Sequence, residues 1–147
     1  RLLGHVPKIQ EWADTVASLG LPLTLLHNDL HADNVVAGPT LRFFDFGDAV
    51  LAEPLSVLLI PLNVLGRQLG AGPGDPRLTG VVEAYLEVWS DLAPVRDLRA
   101  ALPAALALGR IARLESWVRV CASMDAAELG EWGSAVPAWA RLLVERE

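Results

Sequence analysis

His27-Asn28-Asp29-Leu30-His31-Ala32-Asp33-Asn34, followed by Phe43-Phe44-Asp45-Phe46-Gly47-Asp48, decides how this chain is to be read. Asn34-Val35-Val36-Ala37 and Leu41-Arg42-Phe43-Phe44-Asp45 have the composition of two short strands, and Gly38-Pro39-Thr40 between them has turn chemistry. Folding the chain back about Gly38-Pro39 brings Asn34 and Asp45 to one open end of a hairpin. Asp29 lies just upstream, in a loop that follows the apolar run Leu23-Thr24-Leu25-Leu26, which reads as a buried strand or extended segment. The pattern therefore predicts three oxygen-bearing side chains, from positions 29, 34 and 45, around one point.

An Asp, an Asn and then the Asp of Asp-Phe-Gly, in that order, are the residue types that phosphoryl transfer uses in enzymes of the protein-kinase type. A transferring phosphoryl group is negatively charged throughout, so the protein contributes mainly positioning and charge stabilisation. Magnesium takes hard oxygen ligands, commonly one or two carboxylates with phosphates and water. Asn34 and Asp45 supply such oxygens, and Asp29 is left to orient and deprotonate a hydroxyl.

Residues 23–49 resemble the catalytic and metal loops of the aminoglycoside phosphotransferase and choline kinase group, the small-molecule relatives of protein kinases. That group shows His-Gly-Asp-Leu-His followed by an Asn, then Ile-Asp-Phe or Ile-Asp-Trp. This chain has His27-Asn28-Asp29-Leu30-His31, then Asn34, then Phe44-Asp45-Phe46. The resemblance implies Asp29 as catalytic base, Asn34 and Asp45 as ligands of the Mg2+ that accompanies ATP, and His27 as a brace of the loop. His31 is a brace or a site contact. It further implies transfer of the γ-phosphoryl group of ATP to a hydroxyl of a small molecule, and a helical C-terminal lobe of a protein-kinase-like fold. Asn28 stands where the group has Gly. If the position needs a positive φ, Asn is among the better-tolerated substitutes. Relatives often carry an acid in the helix after the metal loop, where this chain runs Glu53-Pro54-Leu55-Ser56.

The partner half of such an enzyme is not legible here. Gly70-Ala71-Gly72-Pro73-Gly74 is glycine-rich, but Pro73 removes a donor and no Gly-Lys-Ser/Thr ending follows, so it reads as a loop. Lys8 is the one lysine and falls in a helical pattern rather than on a strand. Residues 1–147 read as a single domain, the catalytic and substrate lobe, with the N-terminal nucleotide lobe absent and the isolated chain catalytically silent. Hydrophobic residues make up 52% of the chain and charged ones only 20%. That balance suits a surface covered by another lobe or by a second copy of the chain. A net charge of −6 without a basic stripe argues against nucleic acid and is compatible with cationic acceptors such as amino sugars or choline. One cysteine, Cys121, excludes an internal disulfide framework, and nothing resembles a signal peptide. The apolar stretches 55–66 and 100–109 fall well short of the roughly 20 residues that span a bilayer. A cytoplasmic protein with access to ATP is expected.

Outside the motif the chain reads as helix, which makes the fold class α+β, mainly α. Helices are predicted over 8–19, ended by Gly20, over 54–69, from Asp75-Pro76 through Trp89, over 97–123 with a kink near Pro103, and over 126–144 with a break at 133–137. Asp125 is expected to cap the last region. The five tryptophans, at 12, 89, 117, 132 and 139, are expected in the core. Asp33 reads as a solvated turn residue or cap, and Asp48 as either a site contact or a loop brace. The resemblance, in which substrate sites often lie on the later helices, implies by position alone that Glu115 and Asp125 are the acids to meet a cationic substrate. Two other functions are open to the sequence. The alternating His27, Asp29, His31 and Asp33 could hold zinc in a metallohydrolase, since alternate residues of a strand face one way. The lobe could also be a non-catalytic, kinase-like binding module.

Overall fold

Caps and breakers place the helices. The structure, a computed structural model, describes residues 2–144. A 3-10 turn over Leu2–His5 leads into α1 (Val6–Ala17), with Pro7 in its first turn and Gly20 at φ 66° just beyond its end. Asp75 caps α3 (Pro76–Glu87) by accepting from Arg77 N at 2.9 Å, and Pro76 sits at the first helical position. Helix α2 (Leu59–Leu69) is preceded by a 3-10 turn over Pro54–Leu58 and stops at Gly70, whose φ of 58° is left-handed. Asp125 and Glu128 form a reciprocal capping box at the start of α5 (Ala126–Trp132). Helix α6 (Ala135–Val144) follows after Gly133 and Ser134.

The 28-residue α4 (Val95–Ala122) is the spine. It packs against α1, against α6 and against the Pro54–Leu58 turn. Leu98, Ala105, Leu55 and Leu86 are fully buried, and Val16, Leu58, Ala93, Leu102 and Ala104 complete one cluster with them. Pro103 lies nine residues into α4 and the helix runs on through it. The buried neighbours Ala101, Leu102, Ala104 and Ala105 hold the backbone helical across the lost hydrogen bond. Gly109 lets α4 approach the turn closely, since a Cβ there would sit 3.3 Å from Leu59 Cδ2, Ser56 Cβ and Ser56 O. Tyr85 Oη donates to Pro54 O at 2.8 Å and so ties α3 to the same turn. Glu53 accepts from Leu55 N at 2.6 Å and from Ser56 N at 3.2 Å, capping it. Burial raises the Glu53 pKa, and these donors pull the other way. The acid after the metal loop thus has a structural task.

Two small antiparallel sheets complete a mainly helical α+β fold. The hairpin forms from β2 (Val35–Val36) and β3 (Arg42–Phe43), shorter than the sequence suggests because Ala32–Asn34 coils into a 3-10 turn. The other sheet pairs β1 (Thr24–Leu26) with β4 (Val50–Ala52), Leu25 opposite Leu51. The run at 23–26 is buried on one side only. Leu26 is buried, but Leu23 and Leu51 are each 73% exposed. A two-stranded sheet with helices on one face leaves its other face open. Trp12 and Trp89 pack against the core as expected, whereas Trp132 is half exposed and stacks on Trp117 at 6.2 Å. No helix among the described residues is long and apolar enough to cross a membrane.

Candidate active site

The loop from His27 to Asn34 joins β1 to β2, and three anchors shape it. His27, 5% exposed, places Nε2 2.7 Å from Phe44 O, and its ring lies 4.7 Å from that of Phe46. Asn28 has a φ of 60°, the left-handed conformation that explains why the position favours Gly or Asn, and its Nδ2 donates to Ser116 Oγ on α4 at 3.2 Å. Asn34 is 6% exposed, and its Nδ2 donates to Asp29 O at 3.0 Å and lies 3.2 Å from His31 Nε2. With its amide nitrogen turned inward, the carbonyl Oδ1 is the end that can face a cation. Phe44 N donates to Asn34 O at 3.2 Å, so Asp45 follows directly on the residue that pairs with Asn34 at the open end of the hairpin. Asp45 is exposed, at φ 59°, and caps nothing in the 3-10 turn that follows it.

The floor is α4. Arg113, only 7% exposed, donates from Nη2 to Asp29 Oδ1 at 3.1 Å and from Nη1 to Asp48 Oδ2. One planar fork therefore joins the catalytic-type loop to the loop after Asp45. The guanidinium also lies over Trp117, 5.5 Å from the ring centre, and its Nε is buried without a partner among the described residues. His31 Nε2 is 3.8 Å from Asp29 Oδ2 and its Nδ1 is 3.5 Å from Asp33 Oδ2. Asp33 is otherwise solvated, as a turn residue would be.

Asp29, His31 and Arg113 form one side of a cavity of about 690 Å³, whose other walls come from α2, α4 and α6. Trp117 and Trp139 line it, so two of the tryptophans expected in the core face a cavity instead. Glu115 pairs with Arg119 across one exposed helical turn and Asp125 caps α5, so neither acid meets this cavity. Asp48 braces a loop. Arg113 is the residue the sequence reading missed. Its signal is a charge on the buried stripe of Ala105, Gly109, Arg113 and Ser116.

The zinc alternative loses its geometry. His27 turns to the Phe44 carbonyl instead of facing Asp29 and His31, because the 27–34 loop is not a strand. Among the described residues no three His, Cys, Asp or Glu side chains are grouped to hold a metal. An Asn with a single carboxylate, by contrast, suits a Mg2+ whose remaining ligands are phosphates and water.

No curated protein and no solved structure matches the chain. A family model does match, over residues 2–98, about two thirds of the chain, including every residue of the His27–Asp48 constellation. Arg113 and the α4–α6 walls lie beyond the matched residues. By that match and by its His27–Asp45 motif, the chain belongs to the phosphotransferase enzyme family of aminoglycoside phosphotransferase-like proteins.

Proposed function

We propose that this chain is the catalytic and substrate lobe, protein-kinase-like in fold, of a small-molecule kinase that moves the γ-phosphoryl group of ATP to an alcohol. The observation that carries this reading is the fastening of Asn34 Nδ2 to the backbone of Asp29, which lines a cavity of small-molecule size. That bond would hold the base and the first cation ligand together. Asn34 Oδ1 and the Asp45 carboxylate would hold Mg2+, which when bound neutralises phosphate charge. Asp29, steered by Arg113 and facing the cavity, would receive the proton of the acceptor hydroxyl. His31 supports both Asn34 and Asp29. His27 holds the loop to the hairpin.

The nucleotide-covering lobe would come from outside these 147 residues. Leu23, Leu25, Leu41, Phe43 and Leu51 are all exposed around the two sheets, an apolar face that a second lobe, or a second copy, would cover. Lys8 is not free to grip phosphates from a strand, since it lies on α1 and pairs with Glu11 at 2.9 Å. A reaction that uses ATP would suit a cytoplasmic protein.

The test is ATP-dependent transfer by the full protein across a Mg2+ titration. Asn34→Ala and Asp45→Ala should each raise the Mg2+ concentration at half-maximal rate by at least about tenfold, as loss of a metal-site group does. Unchanged Mg2+ dependence in both variants removes them from the metal site.

A further inference from the structure

We infer that the acceptor of this kinase carries an anionic oxyacid group, a carboxylate or a phosphate, on an apolar body. The inference deepens the kinase reading above and rests on it for the word acceptor, while the binding it asserts can be measured without catalysis. Overall the protein is acidic, at −6, but the cavity beside Asp29 is not. Among the described residues its only carboxylates are Asp29, already held by Arg113, and Asp33, which points to solvent with a side chain 95% exposed. The opposite wall, from α2 and α4, presents Arg67, Gln68, Arg110 and Asn63 and, among the described residues, no acid.

Spacing aims these groups together. Asn63 and Arg67 are four apart on α2, and Arg110, Arg113 and Trp117 fall at i, i+3 and i+7 on α4, so each set occupies one helical face. Among the described residues the Arg67 guanidinium enters no ion pair. A cationic acceptor would find no carboxylate among the described residues of that wall, and its charge would meet Arg67 at close range. A carboxylate or phosphate would meet the Arg67 fork, which matches its geometry. Trp117, Trp139 and Leu142 supply the apolar surface for the rest of the molecule. The anionic end then sits on the α2–α4 wall and the hydroxyl at Asp29, with the apolar body between.

Calorimetric titration of the full protein with one scaffold in four forms tests this, a benzyl alcohol whose para position carries a carboxylate, its methyl ester, a phosphate or an aminomethyl group, so that the ring lies between the hydroxyl and the group that varies. The anions should bind at least about tenfold more tightly than the ester and the amine, the order between the carboxylate and the phosphate telling which oxyacid is preferred. Arg67→Gln should cost that preference about tenfold and Arg67→Lys much less, while Arg67→Glu should shift it toward the amine. The lysine and glutamate variants separate charge reading from misfolding. Equal or tighter binding of the ester or the amine, or anion affinity indifferent to all three substitutions, overturns the inference. A parallel transfer assay decides the kinase reading separately: anion binding without phosphoryl transfer to any acceptor upholds the site and fails the reaction.

Discussion

One guanidinium meets carboxylates from two loops at the heart of the site. Arg113 is buried, while Asp29 and Asp48 are each about three quarters covered, at 25% and 21% side-chain exposure. Removing one partner of such a set strands the others in a poorly solvated place. A fully buried pair costs about 3–5 kcal/mol to break this way, and partial exposure of the two acids brings Arg113→Met to about 2–3 kcal/mol. Urea unfolding of that variant measures it, and Arg113→Met with Asp48→Asn should recover part of the loss. A loss below about 0.5 kcal/mol would mean the fork is not organising the loops. At this scale the sequence displayed the types and order of Asp29, Asn34 and Asp45, and even the tolerance of Asn28 for a left-handed backbone. It did not display Arg113, because a lone charge in an apolar helix becomes meaningful only once the rotation of that helix against the 27–34 loop is known.

Capping is a local matter, and the helices were correspondingly readable. Asp75 before Pro76, Asp125 three residues before Glu128, and Gly20 and Gly70 past their helices all carry their instructions in a few neighbouring residues. The strands were less so. Nothing within 23–26 announces that its partner is Val50–Ala52, and pairing segments of three residues so far apart is settled by the helices beneath them. Caps also give the fold an acid-sensitive element. Arg77 beside Asp75, with the Arg77 backbone N–H, lowers the carboxyl from 3.8 to about 2. A depressed carboxyl favours the fold above its ordinary pKa and loses that contribution as pH falls toward the lowered one. Asp75→Asn keeps a capping side chain without the charge. Its stability deficit, small because the pair is at the surface, should be present at neutral pH and close between about pH 4 and 2. Thermal melts of both proteins across that range check it, and a deficit that stays constant would assign the effect to the cap alone.

For the whole molecule, the family match and the geometry describe different portions of one site. The match ends at residue 98, so it takes in the groups proposed for chemistry and stops short of the α4 and α6 walls proposed for the acceptor. That division is physically reasonable, because phosphate and metal chemistry is shared where acceptors are not. The exposed apolar face around the sheets belongs to this scale as well. Prepared alone, residues 1–147 should transfer no phosphate, and should bind a hydrophobic dye or self-associate on that face, as dye fluorescence and sedimentation would report. Transfer by the isolated chain would show that the second lobe is unnecessary.

The central claim is that Asp29 takes the proton of the attacking hydroxyl. Single-turnover transfer of radiolabelled γ-phosphate by the full protein and its Asp29→Asn variant tests it most directly. We predict a rate lower by about 10²–10⁴-fold with ATP affinity little changed. Transfer by Asp29→Asn at the parent rate would contradict the account.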